Sequence, residues 1–478
     1  MYPEQVLLYI DGAWSPAAAG EFLPVANPAT GAVLGKVAHA RIPDLERAVA
    51  AAQRGFEVWR KVSPLERAKL MRRASVLLRE RAAGIAQLMT SEQGKVLAEA
   101  AAEVERTADG NDWLAGEAER IYGRTIAPRS ANVTQVVIKD PVGIVVAFTP
   151  WNFPLFQMVR KIAGAIAAGC SIVIKGPEET PACCAELVRC YADAGVPAGV
   201  INLVYGTPAE ISGFLVPHAA IRKVSFTGST AVGKQLSALA GSHMKISTME
   251  LGGHAPVLVF ADADIEAVAK ALAGNKFRNA GQSCISPSRF LIEASAYPAF
   301  VQAFVAAASK VKVGNGLDAA TNMGPLANPR RLKAVGELVQ DAVAQGAELL
   351  LGGQRVGDTG NFFAPTVLGN VPLQARIMNE EPFGPVVPMR SFRTLAEALA
   401  EANRLPFGLG AFAFTRSIAT ARAVAAGIES GMVSINHFGL GNPEAPFGGV
   451  RDSGHGFEGG SEAIEAYLQT RFITMADL

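Results

Sequence analysis

The sequence of 478 residues predicts an α/β protein with two doubly wound domains and a separate β arm. A chain of this length exceeds what one hydrophobic core organises, so we expect two or more domains. From Val142 onward, apolar runs of strand length alternate with helical segments, which is typical of parallel sheets covered on both faces. The β-prone segment Thr125–Lys139 interrupts the rhythm and indicates an exposed hairpin or arm that serves another subunit.

The composition excludes several classes of protein. Half of the residues are apolar and the net charge is +1, without a long acidic or basic run, so we expect no nucleic-acid partner. The longest apolar run, Ile162–Ile174, is shorter than the roughly 20 residues that span a membrane. Met1–Trp14 lacks the basic and apolar regions of a secretory signal, so we expect a cytoplasmic protein without a membrane partner.

The cysteines argue against disulfides and against a metal site. Four of the five lie between Cys170 and Cys190, and no Cys-x-x-Cys spacing occurs. We interpret these four as packing residues of one helical region in a reducing compartment, and we expect no bound metal.

The amino-terminal part is predicted to contain short strands followed by helices. Tight-turn residues occur within Leu7–Trp14 and at Asn27–Gly31, which predicts a strand on each side of both turns. Apolar residues then recur every three to four positions over Ile42–Gly123, which predicts several helices. The residues expected to separate these helices are Pro43, Pro64 and Gly84.

Two α/β units follow, and ligands in such sheets bind at the carboxyl ends of the strands. The first is predicted to contain strands Gly143–Phe148, Ser171–Ile174, Val200–Val204 and Lys223–Phe226 and helices Met158–Gly169, Pro181–Ala194 and Ala209–Leu215. The second, after Leu251-Gly252-Gly253, is predicted to contain strands Ala255–Phe260, Ser288–Ile292, Phe363–Val367 and Val386–Arg390 and helices Asp264–Asn275, Pro298–Val311 and Pro329–Gln345. At the carboxyl end, Glu462–Thr474 indicates a short helix and a β-prone tail.

The stretch Phe226–Gly233 follows a predicted strand and opens a predicted helix. Its glycines let the backbone approach a ligand and a helix N-terminus favours an anion, so it is a candidate phosphate site. It lacks the Gly-x-Gly-x-x-Gly pattern, and an ordinary capped helix start explains it equally well. Lys175 and Glu178 follow another strand; they could bond ribose hydroxyls or belong to a surface turn with Pro177.

Other polar residues stand at similar positions. Asn152 lies between bulky apolar residues, where its amide can donate to a developing oxyanion or bond its own backbone in a turn. Glu250 precedes two glycines, where a carboxylate can act as a general base or pair with a cation. Glu381 and Phe383 lie on a proline-fixed loop that is suited to hold a sugar and to stack a flat ring.

Cys284 follows the Gly281-Gln282 turn, far from the other cysteines. A lone cysteine is most often a small buried residue. On such a turn, backbone N–H groups can face both the sulfur and the group that it attacks, so Cys284 is also a candidate nucleophile.

Together these motifs resemble the aldehyde dehydrogenase superfamily, and the likeness covers nearly the whole chain. The segments found in the family's order are Thr149–Pro154, Phe226–Gly233, Glu250–Gly253, Gly281–Cys284, Glu381–Gly384 and Ala445–Gly449. The resemblance implies a dinucleotide-binding domain (1–120 and 141–252), a catalytic domain (253–450) and an oligomerisation arm with its tail (121–140 and 451–478). It also implies a homodimer or homotetramer.

The resemblance assigns the chemistry to three residues. Cys284 is similar to the nucleophile that forms a thiohemiacetal with the aldehyde, and Asn152 with the Cys284 N–H to the oxyanion hole. Glu250 is similar to the base that activates water for hydrolysis of the thioester. A catalytically inactive scaffold and a CoA-acylating dehydrogenase remain alternatives; the three residues together argue against the first, and Glu250 against the second.

The resemblance also implies NAD as the cofactor, with NADP possible. The positions that match the family's cofactor site are Thr149, Pro150, Trp151, Lys175, Glu178, Phe226, Gly228, Ser229, Gly233, Leu251, Glu381 and Phe383. The Glu178 carboxylate would repel a 2′-phosphate, which favours NAD. Two departures occur: Lys175-Gly176-Pro177-Glu178 shifts the usual proline, and Ser286 replaces the second cysteine that serves some relatives as a redox switch.

Arg160 and Arg278 are similar to arginines that hold the substrate acid in the succinate-semialdehyde dehydrogenase branch. Arginine binds carboxylates with two hydrogen bonds, so we expect a substrate with a carboxylate far from the aldehyde. Asn442 or Gly441 stands where that branch usually offers a serine. Succinate semialdehyde is therefore the expected substrate, with 2-oxoglutarate semialdehyde and glutarate semialdehyde as rivals.

Overall fold

The computed structural model describes residues 2–476. The first 141 positions contain strands β1 (Gln5–Val6), β2 (Leu8–Ile10), β3 (Ala13–Ser15), β4 (Phe22–Ala26) and β5 (Val33–Ala38), helices α1 (Ile42–Trp59), α2 (Pro64–Glu80), α3 (Ala82–Gln93) and α4 (Leu97–Ala118), and strands β6 (Arg124–Ile126) and β7 (Val133–Pro141). β2 pairs with β3 and β4 with β5, both antiparallel, so both predicted turns are confirmed.

The predicted helical region is confirmed, but one of its expected breaks is wrong. Pro43 and Pro64 stand at the beginnings of α1 and α2, where a missing N–H does not matter. Gly84 lies inside α3, because a single glycine lowers helix stability without ending the helix. Gly94 ends α3 instead, at a left-handed φ of 97° that glycine adopts freely.

The first α/β unit confirms a doubly wound sheet. Its elements are β8 (Ile144–Phe148), α5 (Pro154–Ala168), β9 (Ser171–Lys175), α6 (Pro181–Ala194), β10 (Ile201–Val204), α7 (Pro208–Leu215), β11 (Ile221–Thr227), α8 (Thr230–Ser242) and β12 (Ile246–Glu250). The chain runs from β8 to β9 and β10 on one side and returns to place β11 and β12 on the other. The switch point therefore lies between β8 and β11, where such sheets bind ligands.

The helix predicted to begin at Met158 begins a turn earlier, at Pro154. The Glu103 carboxylate accepts hydrogen bonds from the N–H groups of Leu155 and Phe156, which have no partner within the helix. A cap that comes from a distant helix leaves no local signal in the sequence.

The second unit contains the other large sheet. Its elements are β13 (Pro256–Val259), α9 (Ile265–Lys276), β14 (Arg289–Glu293), α10 (Tyr297–Ala308), α11 (Pro329–Ala344), β15 (Glu348–Leu351), β16 (Thr366–Gly369), β17 (Val386–Phe392), α12 (Leu395–Asn403), β18 (Phe407–Gly408), β19 (Gly410–Phe414), α13 (Ile418–Gly427) and β20 (Met432–Ile435). The strand order is β15-β16-β17-β14-β13-β19-β20. The strand expected at Phe363–Val367 is shifted, since Phe363 makes only an isolated bridge with Arg355 among the described residues.

The carboxyl end contains β21 (Val450–Arg451), β22 (Gly454–His455), α14 (Glu462–Glu465) and β23 (Leu468–Ala476). β22 pairs with the edge strand β12 and completes the eight-stranded order β22-β12-β11-β8-β9-β10-β2-β3. β23 pairs along its whole length with β7, and β7 pairs with β6. The predicted hairpin and β-prone tail thus form one three-stranded sheet, while the division into domains stays a prediction.

The four clustered cysteines are buried and free. Cys183, Cys184 and Cys190 lie in α6, but Cys170 precedes β9, so the expectation of one helical region holds for three of the four. Within residues 2–476, no helix is long and apolar enough to cross a membrane, and no group of three or more His, Cys, Asp or Glu side chains could hold a metal ion.

Candidate active site

The predicted polar residues meet because neighbouring parallel strands end at the same edge of the sheet. Thr149 follows β8, Gly228 follows β11, and Glu250 is the last residue of β12. The order β12-β11-β8 places these three strand ends side by side. The carboxyl edge of the sheet at the switch point therefore carries the Asn152 amide, the glycine-rich turn and the Glu250 carboxylate together.

A cleft opens at this edge, and most of the predicted cofactor residues line it. The predicted residues in its wall are Pro150, Trp151, Asn152, Gly228, Ser229, Glu250, Leu251, Cys284, Glu381 and Phe383. Thr149, Lys175, Glu178, Phe226 and Gly233 are not part of that wall within the described chain. The cleft thus contains the three predicted catalytic residues and seven of the twelve predicted cofactor residues.

The glycine-rich turn is shaped by close packing. A Cβ on Gly228 would lie 2.4 Å from the Phe226 ring, and a Cβ on Gly233 would lie 2.1 Å from Leu251. Ser229 stands directly before α8, at the helix N-terminus. Phe226 and Gly233 therefore support the turn from behind, while Gly228 and Ser229 face the cleft, where the helix N-terminus favours an anion.

Lys175 and Glu178 bind each other at the end of β9. The Lys175 ammonium lies 2.5 Å from the Glu178 carboxylate, which also accepts a hydrogen bond from the Gly206 N–H at 3.3 Å. Glu178 is partly exposed, whereas Lys175 is buried. The pair follows β9, which is the neighbour of β8, at the carboxyl ends of the strands. It therefore lies one strand away from the cleft.

Arg331 was not predicted from the sequence, and it holds the loop that carries Glu381 and Phe383. Its guanidinium donates to the Pro382 carbonyl at 2.6 Å, next to Phe383, whose φ is 41°. The Glu381 carboxylate accepts from the Gly253 N–H at 3.2 Å, and burial raises the pKa of Glu381 to about 7. The loop is thereby fixed beside the end of β12.

The chain reaches Cys284 through a left-handed turn. Asn279, Ala280 and Gly281 have φ values of 48°, 52° and 71°. A Cβ on Gly281 would lie 2.2 Å from the Gly384 carbonyl oxygen, so only glycine fits there. The turn leaves the Cys284 side chain half-buried.

Asn152 faces the same segment. Its side-chain N–H donates to the Gln282 carbonyl at 3.3 Å, and its Oδ1 has no partner among residues 2–476. The side chain is 3% exposed, so the unpaired oxygen is buried. The Nδ2 group is therefore held against Gln282, two residues before Cys284, and its second N–H is available to donate to a ligand.

Burial and the nearby Glu250 carboxylate both disfavour the thiolate of Cys284. Neither of the Glu250 carboxylate oxygens has a hydrogen-bond partner among the described residues, and burial, with the Glu458 charge, raises the pKa of Glu250 to about 7. Burial and the Glu250 charge raise the pKa of the Cys284 thiol well above its ordinary value, while Arg160 lowers it. The geometry gives a protonated thiol beside a carboxylate that titrates near neutral pH.

A second cavity borders Cys284 on the other side, and it contains all three predicted substrate residues. Arg160 is 5% exposed, and its guanidinium lies between the rings of Phe156 and Phe447, at 4.2 and 4.0 Å from their centroids. Neither terminal nitrogen of Arg160 has a hydrogen-bond partner in the described chain. Arg278 and Asn442 are exposed at the mouth of this cavity.

Several residues of this cavity were missed by sequence reasoning. They are Arg106, Phe153, Phe156, Gln157, Phe412 and Phe447. Arg106 lies on α4, whose helical pattern gave no sign that it crosses α5. Gln157 lines both the cleft and the cavity, and one turn of α5 separates it from Arg160. This helical spacing from Arg160 could have identified Gln157 in the sequence.

The cleft fits a dinucleotide by its donors and rings. Gly228 and Ser229 offer backbone and hydroxyl groups at a helix N-terminus, as a pyrophosphate requires. Trp151 and Phe383 stand edge to face with ring centroids 5.7 Å apart and bound the cleft near Glu381. Cys284 is shared by the cleft and the cavity, so a group bound in the cleft would reach a substrate held at the sulfur.

Comparison with known proteins agrees with this arrangement. The profile of the "Aldehyde dehydrogenase family" matches residues 14–473. The chain is 47% identical to a putative 4-(hydroxymethyl)benzenesulfonate dehydrogenase of Comamonas testosteroni, over 98% of this chain and 97% of that protein. It is 39% identical to the NADP⁺ succinate-semialdehyde dehydrogenase of Escherichia coli K12, over 99% and 98% of the two chains.

A solved structure shows the same fold. The succinate-semialdehyde dehydrogenase of Burkholderia pseudomallei superposes with a TM-score of 0.96 at 40% identity, over 98% of each chain. The resemblance drawn from the motifs and the predicted fold class are both confirmed.

The pKa relations predict opposite effects of two substitutions on the reactivity of Cys284. Glu250→Gln should speed alkylation by iodoacetamide above pH about 7, where Glu250 carries a charge that disfavours the thiolate. Arg160→Met should slow alkylation, because the cation that favours the thiolate is lost. The rate against pH, followed by mass spectrometry with Cys284→Ser as the control for other thiols, measures both; a shift of the same sign in the two variants contradicts the assignment.

Proposed function

The chain belongs to the aldehyde dehydrogenase family, and on that premise we propose that it oxidises an aldehyde that carries an anionic group, with succinate semialdehyde as the expected substrate. Aldehyde dehydrogenases act on small aldehydes and use NAD or NADP. The product is the corresponding carboxylic acid, and we expect NAD to be the preferred cofactor.

The unpaired guanidinium of Arg160 carries this proposal. Two rings contact the Arg160 guanidinium, but its terminal N–H groups have no acceptor among the described residues. Buried donors without an acceptor are unfavourable, so a ligand that accepts from them best explains this arginine. Arg106 and Arg278 line the same cavity, and no carboxylate lines it among the described residues. The three cations favour a substrate with an anionic group in this cavity.

Two relatives are named for substrates with an anionic group, one a sulfonate and one a carboxylate. Both groups accept hydrogen bonds from a guanidinium, so the cavity of this chain suits either. The five phenylalanines of its wall also leave room for a flat ring, which makes a sulfonated aromatic aldehyde the second candidate. Glutarate semialdehyde and 2-oxoglutarate semialdehyde are the nearest alternative substrates, and they differ from succinate semialdehyde in chain length.

The carbon–sulfur bond forms first in the proposed reaction. The Cys284 thiolate attacks the aldehyde carbon, and the carbonyl oxygen becomes an oxyanion. The Asn152 amide and the Cys284 N–H donate to that oxyanion, which lowers the barrier because the donors are already in place. The Cys284 thiol loses its proton to water before this attack. Glu250, whose pKa of about 7 suits proton transfer near neutral pH, therefore stays free for the later hydrolysis.

A bound nicotinamide dinucleotide supplies the acceptor for the hydride that leaves the thiohemiacetal. Gly228 and Ser229 would hold its pyrophosphate, and Glu381 a ribose. Glu250 then takes a proton from a water molecule, whose oxygen attacks the thioester carbon. The carbon–sulfur bond breaks, and the acid and the Cys284 thiolate are released.

Lys175 and Glu178 are proposed to meet the second ribose, near the end of β9. At that ribose, the Glu178 carboxylate of this ion pair would repel a 2′-phosphate. We expect NAD to be preferred and not exclusive, since Lys175 offsets part of the repulsion. The remaining proposals are a cytoplasmic homodimer or homotetramer built through the sheet β23-β7-β6 and the domain boundaries given by the resemblance.

Arg160→Met should lower kcat/KM for succinate semialdehyde by roughly 10- to 150-fold, the range that loss of a charge-assisted hydrogen bond gives. The same variant should lower kcat/KM for butanal only by the factor by which it slows alkylation of Cys284, because a neutral aldehyde makes no such bond. Arg278→Met, at the exposed mouth, is the matched control and should have a smaller effect. Equal losses on the two aldehydes would remove the anion site from the proposal.

Glu178→Gln should raise kcat/KM with NADP while changing that with NAD little, because the repulsion of the 2′-phosphate is removed. The wild-type enzyme should show a higher kcat/KM with NAD than with NADP. Steady-state rates with both cofactors measure the ratio. A wild-type preference for NADP would refute the placement of Glu178 at the ribose.

A further inference from the structure

The junction between α3 and α4 holds the backbone of the proposed oxyanion residue. Lys95 lies in this junction and is 1% exposed. Its ammonium donates to the Glu103 carboxylate at 2.5 Å and to the backbone carbonyl of Asn152 at 2.8 Å. It also lies 4.2 Å from the centre of the Phe153 ring. Two of these three contacts join the buried cation directly to the turn that carries the amide.

Glu103 secures the next part of the same turn. Its second oxygen accepts from the N–H groups of Leu155 and Phe156, at 3.1 and 3.3 Å. These N–H groups belong to the first turn of α5, where no partner exists within the helix. Lys95 therefore holds the backbone carbonyl of Asn152, and Glu103 holds the start of α5 just after it.

Residues on either side of this junction also bind the turn before Cys284. Gln93 donates to the Asn279 side-chain oxygen at 2.8 Å, and Glu99 accepts from the Asn279 N–H at 2.8 Å. The Asn279 amide in turn donates to the Asn152 carbonyl at 2.9 Å. The Asn152 carbonyl thus receives one hydrogen bond from Lys95 and one from the segment that presents the thiol.

We propose that Lys95 and Glu103 are positioning residues that keep the Asn152 amide aligned with Cys284, an inference that rests on the oxyanion role proposed for Asn152. Neither residue lines the cleft or the cavity, so any effect on the reaction passes through the backbone that they hold. A buried ion pair is a poor source of stability compared with apolar packing. A catalytic amide, in contrast, must be held to within about half an ångström.

The test is a double-mutant cycle between this pair and Asn152. Lys95→Met combined with Glu103→Gln removes both charges, so no buried ion is left unpaired. This change should lower kcat/KM about 10- to 100-fold in the wild-type background, below the roughly 10²- to 10³-fold loss of a whole oxyanion donor. In the Asn152→Ala background it should lower kcat/KM less than threefold, because no amide remains to be misplaced.

Lys223→Met is the matched control. Lys223 is likewise fully buried, and its ammonium donates to Thr248 at 2.6 Å. Any loss that it causes should be the same in both backgrounds. Cofactor Kd and Tm are measured for each variant, and Glu103→Asp, which keeps both charges and shortens one side chain, replaces the double change if that variant does not fold.

The outcomes separate this inference from the proposed function. Losses of equal size in both backgrounds overturn the positioning role and leave the oxyanion role of Asn152 standing. Full activity of Asn152→Ala alone overturns the oxyanion role and this inference with it. A loss confined to the background that contains Asn152, with Kd for the cofactor unchanged, supports the inference.

Discussion

The site depends on the left-handed turn formed by Asn279, Ala280 and Gly281. A non-glycine residue in this conformation is disfavoured by roughly 1–2 kcal/mol, and two such residues follow each other here. The surrounding hydrogen bonds of Asn279, to Gln93, Glu99 and Asn152, offset that strain. The turn directs the chain so that Cys284 lies between the cleft and the cavity, and an extended segment would separate the thiol from one of them.

The second constraint is electrostatic. Arg160 and Glu250 are buried, opposite in charge and without hydrogen-bond partners in the described chain. Folding alone does not favour a buried donor or carboxylate without a hydrogen-bond partner, although two rings stabilise part of the Arg160 charge. Burial raises the pKa of the Cys284 thiol, and the two groups act on that pKa in opposite directions, Glu250 raising it and Arg160 lowering it. The same two groups are the proposed anion holder and the proposed base.

Much of the fold and part of the site follow from local sequence. Continuous apolar strands predicted the parallel sheet, and Asn152 and Gly228 were predicted to follow strand ends; the strand that ends at Glu250 was not predicted. Gly84 shows the limit of local reasoning, because a helix supported by tertiary packing tolerates it. The early start of α5 depends on the Glu103 carboxylate, which lies far away in sequence.

The site residues that were not predicted have the same explanation, since their positions depend on tertiary contacts. Arg106 and Glu103 reach the site because α4 packs across α5, and Lys95 because it lies just before α4; this crossing depends on the whole tertiary structure. Arg331 holds the Glu381 loop through a carbonyl, which any loop sequence offers. Residues such as Lys95, Glu103 and Arg331, which hold the backbone, lie in no motif that the sequence displays.

In the proposed reaction, Cys284 carries a thioester that Glu250 helps to hydrolyse. The mass of Glu250→Gln, measured after mixing with succinate semialdehyde and NAD, tests this step, with Cys284→Ala as the control. We expect one succinyl group on the peptide that contains Cys284, with one NADH formed per site before turnover stalls. Slow, steady NADH formation without an adduct, or an adduct on another residue, would contradict it.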